Sequence, residues 1–276
     1  MFNKRHIVRT IAATASILAL SFTAACGSGQ STASNSTDSD DITQQTYKPG
    51  KLTIATGQPA YEPWVMNDKP ESGEGYEAAV AYAVADKLGF KKSDVVWTRT
   101  AFDTAIAPGA KDWDFNIQQF GITDERKKAV DFSSSYYNDS QSVVVKKDSK
   151  FANATKVSDL KDATVGVMVG TLAYDYAKAN IKDDIQTFND DAALAQALDA
   201  GQIDALVTST VECVYMVQSE QVKDAKVLGR LPDSEDKSGM GIVLPKDSKL
   251  TAAVTKAVDD LNADGTIKKL QDKWLA

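Results

Sequence analysis

Histidine and cysteine are almost absent from this chain of 276 residues. The single histidine, His6, lies in an N-terminal segment with the features of a signal peptide, and the two cysteines are Cys26 and Cys213. Without that segment, a nucleophile activated by histidine and the common histidine-containing zinc sites are excluded. Two cysteines are too few for a disulfide framework. We therefore expect no metal and no cofactor, and we expect Cys213 to be a small buried side chain.

Basic residues are outnumbered by acidic ones. The chain has 31 Lys and Arg against 38 Asp and Glu, and its formal net charge is −7. Lys4, Arg5 and Arg9 lie in the first 25 residues, which contain no acid, so the rest of the chain is more acidic still. Nucleic acid is bound mainly through Lys and Arg that neutralise phosphates. Nucleic acid is therefore excluded as an expected partner.

The N-terminus contains the one long apolar run. Residues 1–25 combine a basic start, an apolar stretch over residues 11–22 and small residues before Cys26, which predicts a secretion signal. The stretch is too short for a permanent membrane span. It resembles a bacterial lipoprotein signal, although Thr23 stands where that pattern prefers leucine. The resemblance implies a lipid on Cys26 that anchors an extracytoplasmic protein to the cell membrane; the alternative is secretion without lipid.

Residues 27–50 contain almost nothing that could be buried. They are rich in Ser, Thr, Asn, Asp and Gln. Such a composition predicts disorder, because too little apolar surface is available to offset the entropy of folding. We therefore predict that residues 26–50 form a lipidated cysteine followed by a flexible tether.

From residue 51 onward, strand-like runs alternate with amphipathic helical segments, which predicts α/β sheets with parallel strands. There is no internal sequence repeat, only two successive α/β sections. The predicted strands cover residues 52–56, 95–97, 114–117, 141–147, 164–169, 203–208 and 242–244. The predicted helices cover residues 76–88, 102–107, 172–180, 192–198 and 250–274, the last interrupted at residues 264–265.

The stretch 115–140, FNIQQFGITDERKKAVDFSSSYYNDS, is the most informative part of the chain. Thr123 is a candidate N-cap for a polar helix, and the two acids that follow it suit a first helical turn. Arg126 does not suit that turn unless an anion lies in front of it. Free N–H groups from Gly121 onward and a guanidinium together indicate a carboxylate or phosphate site. The alternative is a solvated arginine on a lysine-rich helix.

The chain contains four motifs in order, GITDERKKAVDFSSSYY, VGVMVGT, GQIDALV and DGTIKKLQDKWL. With them it resembles the amino-acid-binding proteins of bacterial ABC importers, the polar-amino-acid class of periplasmic binding proteins. The resemblance implies a two-lobed α/β clamshell in which each lobe is a mostly parallel sheet flanked by helices. Lobe 1 would comprise residues 51–142 and 242–276, lobe 2 residues 143–241, with hinge strands between them. It also implies an ABC permease as partner, and we expect a monomer.

The resemblance assigns a carboxylate-binding role to Arg126. The arginine at this position grips the ligand α-carboxylate, helped by N–H groups at Gly121 and Thr123. Thr171 matches the residue that reaches the same carboxylate from the second lobe. A Gly-Thr pair between a strand and a helix can indeed offer N–H groups and a hydroxyl to an anion.

Three aromatic residues are further candidates for ligand contact. Tyr61 and Phe102 match family positions that pack on the ligand, and Trp64 lies close to Tyr61 in sequence. For each of them the alternative is ordinary core packing.

The chain departs from the family pattern at Ser209. The family usually has an aspartate there, which binds the ligand ammonium. Glu212, one helical turn further on, and Asp191 are candidate substitutes; alternatively the ligand is a related carboxylate without a free ammonium. Gln118 and Gln119 stand where small residues are common, and their amides could narrow the cleft and contact a polar ligand side chain.

We expect a receptor that hands an amino acid, or a related carboxylate, to a permease. A dehydratase-like enzyme on the same fold is the competing class. Ser158-x-x-Lys161 and Ser234-x-x-Lys237 superficially resemble Ser-Lys catalytic motifs, yet neither serine has a recognisable activating partner, so no enzyme activity is expected. A sensor that presents its ligand to a signalling partner would require a second chain.

Overall fold

The computed structural model describes residues 41–275. The predicted signal segment of residues 1–25, the predicted lipid site Cys26 and residues 27–40 of the predicted tether lie outside the described residues. Within residues 41–275, no helix combines the length and apolar character that a membrane span requires.

Residues 41–50 pack against the first lobe, so the prediction of disorder is wrong for them. A short 3₁₀ turn, Ile42–Gln44, is capped by Asp41, and Ile42 contacts the apolar core. The Tyr47 N–H donates to Oδ1 of the buried Asp114 at 2.6 Å. Composition alone missed this because a buried carboxylate far along the chain supplies the hydrogen-bond acceptor.

Ten strands and seven α-helices occur in the described residues. The strands are β1 (Leu52–Thr56), β2 (Val95–Arg99), β3 (Phe115–Asn116), β4 (Val130–Tyr137), β5 (Gln141–Lys146), β6 (Val165–Met168), β7 (Gln186–Phe188), β8 (Ala205–Ser209), β9 (Ala225–Arg230) and β10 (Met240–Pro245). The helices are α1 (Tyr76–Lys87), α2 (Phe102–Ile106), α3 (Leu172–Asn180), α4 (Asp191–Asp199), α5 (Thr210–Gln218), α6 (Thr251–Ala263) and α7 (Thr266–Trp274).

The strands form two five-stranded sheets, one in each lobe. Their orders are β2-β1-β3-β10-β4 and β7-β6-β8-β5-β9. In each sheet four strands point the same way, and the fifth, β10 or β5, runs against them. The two-lobed α/β fold expected from the motifs is confirmed. Both sheets are mixed, since each contains one reversed strand.

The chain crosses from the first sheet to the second between β4 and β5, and it returns between β9 and β10. Gln141 and Ser142 already pair with Ser209 and Thr208 in the second sheet. Met240 and Gly241 already pair with β4 in the first. The crossings therefore lie before residues 141 and 240, and not at the predicted boundaries after residues 142 and 241. Sequence alone missed this because interstrand pairing, and not apolar character, determines where these strands begin.

Each sheet is covered on both faces. In β5, Val143 and Val145 lie in one apolar cluster and Val144 lies in the cluster on the opposite face. In β1, Ile54 and Ala55 divide in the same way between two clusters of the first lobe. Strands that are buried on both faces show continuous apolar runs, which is why these strands were predictable from the sequence.

The polar helix predicted from Thr123 does not form. The structure has only a 3₁₀ turn there, Arg126–Lys128, and β4 begins at Val130. An isolated bridge pairs Gly121 with Met240, and the Ile122 N–H donates to the Gly239 carbonyl, so pairing with a distant segment and not local helix propensity sets the backbone where this segment begins. The strands β4, β7 and β9 and the helix α5 were not among the predicted elements.

Candidate ligand-binding cleft

A cavity lies between the two lobes, at the carboxyl ends of the parallel strands, where α/β folds commonly bind ligands. Eight of the ten residues predicted to bind ligand line it: Tyr61, Phe102, Gln119, Gly121, Arg126, Thr171, Ser209 and Glu212. Gln118 and Asp191 also line it. Thr123 and Trp64 do not, and their positions are described below.

The guanidinium of Arg126 is held by carbonyls from both lobes. Nη1 donates to the Gly121 oxygen at 2.7 Å, and Nη2 donates to the Gly170 oxygen of the second lobe at 2.9 Å. Its carbon lies 5.4 Å from the centre of the Phe102 ring, which stacks on Phe120. A guanidinium has five N–H donors, so three remain for a ligand after these two bonds.

The environment of Arg126 favours an anionic partner. Burial lowers the pKa of Arg126 from its ordinary value, and the charges of Asp175 and Asp236 raise it. A partly buried cation without a direct ion pair is costly to desolvate. A ligand carboxylate would supply the missing counter-charge through charge-assisted hydrogen bonds.

The segment before Arg126 approaches the second lobe closely. A Cβ atom on Gly121 would lie 2.5 Å from Leu172 Cδ1 and 2.9 Å from Asp236 Oδ2, so a larger residue there would displace these two side chains. Thr123 accepts the Arg126 N–H with its hydroxyl at 3.1 Å, and thus caps the short turn instead of lining the cavity. Among the described residues, the N–H groups of Gly121 and Thr123 make no backbone hydrogen bond.

The second lobe contributes the first turns of three helices. Thr171, Asp190 and Ser209 cap α3, α4 and α5 through their side-chain oxygens. The Thr171 hydroxyl also donates to the Met168 carbonyl at 2.8 Å, so it is already engaged within its own lobe. Ser209 accepts the Glu212 N–H at 3.2 Å. The position that carries an aspartate in the family pattern therefore serves here as a helix cap.

Two acids, the half-buried Asp191 and the buried Glu212, line the cavity from these helices. Burial raises the pKa of Asp191 to about 6; the hydrogen bond from Thr208 lowers it and the charge of Asp190 raises it. Burial also raises the pKa of Glu212 well above its ordinary value, and the nearby Asp191 charge raises it further. These carboxylates lack a full counter-charge, so a ligand cation beside them would be stabilised.

Besides Arg126, three side chains of the first lobe form hydrogen bonds to the second lobe. Trp64 is fully buried and donates from Nε1 to Glu212 Oε2 at 2.9 Å. The Tyr61 hydroxyl accepts the Ala192 N–H of α4 at 3.3 Å, and Glu62 accepts the hydroxyl of Tyr215. Trp64 is thus a core residue that also holds a cavity acid in place.

Sequence reasoning missed two acids that line the cavity, Asp139 and Asp236. Both lie in the segments that connect the lobes. Asp236 Oδ1 accepts the N–H groups of Ser238 and Gly239, while Oδ2 is buried without a partner among the described residues. Gln118 Oε1 is buried and unpartnered in the same sense. The Asp236-x-x-Gly239 spacing, which is typical of a turn, was the one signal in the sequence that could have drawn attention to Asp236.

The Ser-Lys motifs lie apart from this cavity. Ser234 is buried, donates to backbone carbonyls and accepts the Gln141 N–H, and Ser158 belongs to the turn Val157–Leu160. Neither is paired with a lysine. Cys213 is fully buried, as predicted, and burial raises the pKa of its thiol well above the ordinary value. Residues 41–275 contain no cluster of three or more His, Cys, Asp or Glu side chains suited to a metal ion.

A cleft between two α/β lobes, with one cation and several acids on its walls, is the architecture of a receptor for a small charged solute. Residues 52–276 match the family of bacterial extracellular solute-binding proteins, family 3. The chain belongs to this family, and the resemblance inferred from its motifs is confirmed.

Relatives in this family carry names that state their ligands. The chain is 29% identical over 245 residues to an L-arginine-binding protein of Pseudomonas aeruginosa. The aligned region covers 83% of this chain and 88% of the relative. It is 30% identical over 217 residues to the L-cystine-binding protein TcyJ of Escherichia coli K12. The aligned region covers 78% of this chain and 79% of the relative. A solved ancestral arginine-binding protein bound to arginine is 31% identical, with a TM-score of 0.70, and covers 82% of this chain and 99% of that one.

Proposed function

We propose that this protein captures an amino acid by closure of its two lobes and delivers it to the permease of an ABC importer. The observation that carries the proposal is the distribution of charge in one cavity, which is lined by the cation Arg126 and by the acids Asp191 and Glu212. An amino acid presents a carboxylate and an ammonium to such a site. Named amino-acid-binding relatives support the same conclusion.

The surplus of acids favours an amino acid with a positively charged side chain. Four carboxylates, Asp139, Asp191, Glu212 and Asp236, line the cavity against the single cation Arg126. A zwitterion would balance Arg126 and one acid, whereas a second positive charge would balance another. Two unpartnered acceptor oxygens, on Gln118 and Asp236, suit a side chain with several N–H donors.

Calorimetry against the twenty amino acids, after the protein is unfolded and refolded to remove bound solute, tests this proposal. L-Ornithine is added to the panel as a further probe. We expect at least one of L-arginine, L-lysine and L-ornithine to bind at least tenfold more tightly than L-glutamate. Preference for L-glutamate would contradict the assignment of a cationic ligand. If no amino acid binds, the proposal that this protein is an amino-acid receptor is wrong.

A carboxylate solute without an ammonium is the second candidate. Ser209 replaces the expected acid, and Glu212 already accepts a hydrogen bond from Trp64. N-acylated and deaminated analogues in the same titrations separate the two candidates. Tighter binding of these analogues than of the free amino acids would favour the second.

We propose a receptor and not an enzyme, because the similar proteins whose names state a ligand are named as amino-acid-binding proteins. Mass spectrometry of co-purified small molecules checks this. Unchanged recovery of the bound compound after incubation is expected, whereas its conversion would indicate the dehydratase-like alternative.

The proposed location is the extracytoplasmic face of the cell membrane, through a lipid on Cys26. We expect Cys26→Ser to move the protein from the membrane fraction to the soluble fraction. A variant that stays in the membrane fraction would contradict the lipid anchor.

A further inference from the structure

Glu77, at the start of α1, is a fully buried acid beneath the floor of the cleft. It lies outside the cavity lining, and the proposed capture of ligand does not use it directly. Its Oε1 accepts the Gln119 N–H at 2.7 Å and the Tyr136 hydroxyl, and its Oε2 accepts the side-chain Nε2 of Gln119. Three donors therefore converge on one carboxylate.

This arrangement matches the ionised form of Glu77. An ionised carboxylate accepts hydrogen bonds and donates none, so it can accept from all three of these groups at once. Burial raises the pKa of Glu77 to about 7, and the hydrogen bonds from Tyr136 and Gln119 lower it. At pH 8 the carboxylate is therefore an acceptor only.

The carboxylate fixes which end of the Gln119 amide faces Glu77. Because Glu77 can only accept, the NH₂ group of Gln119 must point toward it. The Gln119 backbone is also held, in a left-handed conformation with φ of +48°, by its own N–H bond to Glu77. Gln119 lines the cavity, and its side-chain Nε2 is the amide atom that bonds to Glu77.

We propose that Glu77 is a positioning residue that orients the Gln119 amide, so that the cavity receives an acceptor oxygen and not a donor. This inference rests on the proposed function, because it assigns a specificity role within the same cleft. The oriented oxygen adds to the unpartnered acceptors of Gln118 and Asp236. Together they select ligands with N–H donors and reject ligands that present only acceptors.

NMR of the ligand-free protein at pH 8 tests the orientation without any ligand. The side-chain NH₂ pair of Gln119 is assigned by its loss in Gln119→Ala. In the wild type we expect one of its protons to be shifted downfield and protected from exchange by the bond to a carboxylate. A pair with the shift and exchange rate of an exposed glutamine would overturn the proposal.

Two substitutions separate acceptor character from shape. Glu77→Asp keeps an acceptor-only group, so it should retain the shifted NH₂ proton of Gln119. Glu77→Gln introduces a donor, so the Gln119 amide should turn and the shifted proton should be lost. Retention of that proton in Glu77→Gln would overturn the proposal; the wild-type spectrum and Glu77→Asp still decide it if Glu77→Gln does not fold.

A double-mutant cycle with L-arginine as probe tests whether Glu77 acts through Gln119. We expect Glu77→Gln to weaken binding about tenfold in the wild-type background, because the cavity gains a donor in place of an acceptor. In the Gln119→Ala background the same substitution should cost at most twofold. A merely structural or long-range charge effect would cost the same in both backgrounds, and that result would overturn the proposal.

Tyr136→Phe is the matched control, since it removes one donor to Glu77 and leaves Gln119 unchanged. We expect it to lower stability while the coupling between positions 77 and 119 persists; loss of that coupling would count against the proposal. If no amino acid binds the wild type, the proposed function fails. The ligand-free NMR measurement then decides the orientation of Gln119 on its own.

Discussion

The charged part of the first-lobe wall of the cleft lies in a loop, whereas the charged part of the second-lobe wall lies in the first turns of helices. The first-lobe wall comprises the loop after β1 and residues 118–126, which carry Gln119, Gly121 and Arg126. The second-lobe wall comprises the starts of α3, α4 and α5, with Asp191 and Glu212. The cation therefore lies beside carbonyl oxygens, and the acids lie in the first turns of α4 and α5.

The difference shows how each wall stabilises a buried charge. Helix N-termini favour anions, so acids are tolerated on the second wall. The favourable helix ends do not offset burial completely, since the pKa values of both Asp191 and Glu212 remain raised. Arg126 on the first wall is instead bound by two carbonyls, that of Gly121 in its own lobe and that of Gly170 in the second lobe. Each wall thus carries a charge that is not fully balanced. A ligand carboxylate would balance the first wall, and a ligand cation would balance the second.

Removal of the cation should have the largest effect on binding. Arg126→Ala deletes two or more charged hydrogen bonds to the ligand, each worth about 1.5–3 kcal/mol. We therefore expect a loss of affinity of roughly 100-fold or more, since about 1.4 kcal/mol corresponds to tenfold. Calorimetry with the best ligand measures it. The exposed neighbour Lys127→Ala is the control, and affinity of Arg126→Ala within threefold of wild type would remove Arg126 from the site.

The acids of the second wall should make the ligand-free protein less stable as pH rises. The pKa of Asp191 is raised from 3.8 to about 6, so the folded state holds its proton more tightly than the unfolded state. Its stabilising proton is fully present below pH 3.8 and is lost as pH rises through about 6. The pKa of Glu77, raised from 4.5 to about 7, acts in the same direction at slightly higher pH.

Asp191→Asn removes the penalty of ionising one of these acids. At pH 8 we expect it to stabilise the ligand-free protein by about 2 kcal/mol, because a shift of one pKa unit corresponds to about 1.4 kcal/mol. At pH 4 the gain should be small. Urea unfolding at both pH values measures it, with the exposed Asp183→Asn as control. Equal effects at the two pH values would contradict the raised pKa.

The substitute for the missing aspartate can be tested by two changes in α5 and its cap. Glu212→Gln should weaken free amino acids tenfold or more, because a charged hydrogen bond to the ligand ammonium is lost. Ser209→Asp should retain or improve them, since aspartate also caps helices. Titration of both variants, with the exposed Glu220→Gln as control, measures the effect. If Glu212→Gln is neutral and the wild type prefers ligands without an ammonium, both Glu212 and the amino-acid assignment are wrong.

The smallest effect is expected at the contact between the walls. Tyr61→Phe removes the hydroxyl that accepts the Ala192 N–H and keeps the aromatic ring. A neutral hydrogen bond contributes roughly 0.5–1.5 kcal/mol, so we expect affinity to fall two- to tenfold through a less stable closed form. Tyr174→Phe is the control, because its hydroxyl contacts only the surface Lys178. No difference between the two variants would exclude Tyr61 from closure.

The amino-acid sequence by itself determined most strands, most helices and the family. The predicted strand 52–56 and the predicted helix 172–180 coincide with β1 and α3. Local signals suffice for such elements, because a strand buried on both faces is a continuous apolar run and a helix begins at its cap, here Thr171. The sequence also singled out Arg126, through its motif and through a first-turn argument whose helix does not form.

Only the tertiary structure decided what surrounds Arg126 and the acids. The partners of Glu77 lie 42 and 59 positions away, and the partner of Trp64 lies 148 positions away. No local pattern encodes such contacts, since they depend on how two sheets and their crossings bring distant segments together. The same holds for Asp236. In the sequence it is one of several charged residues in a loop, and only the fold brings its charge near Arg126. Local propensity therefore determines the strands and helices, whereas long-range packing and burial determine where the charged side chains of the cleft lie.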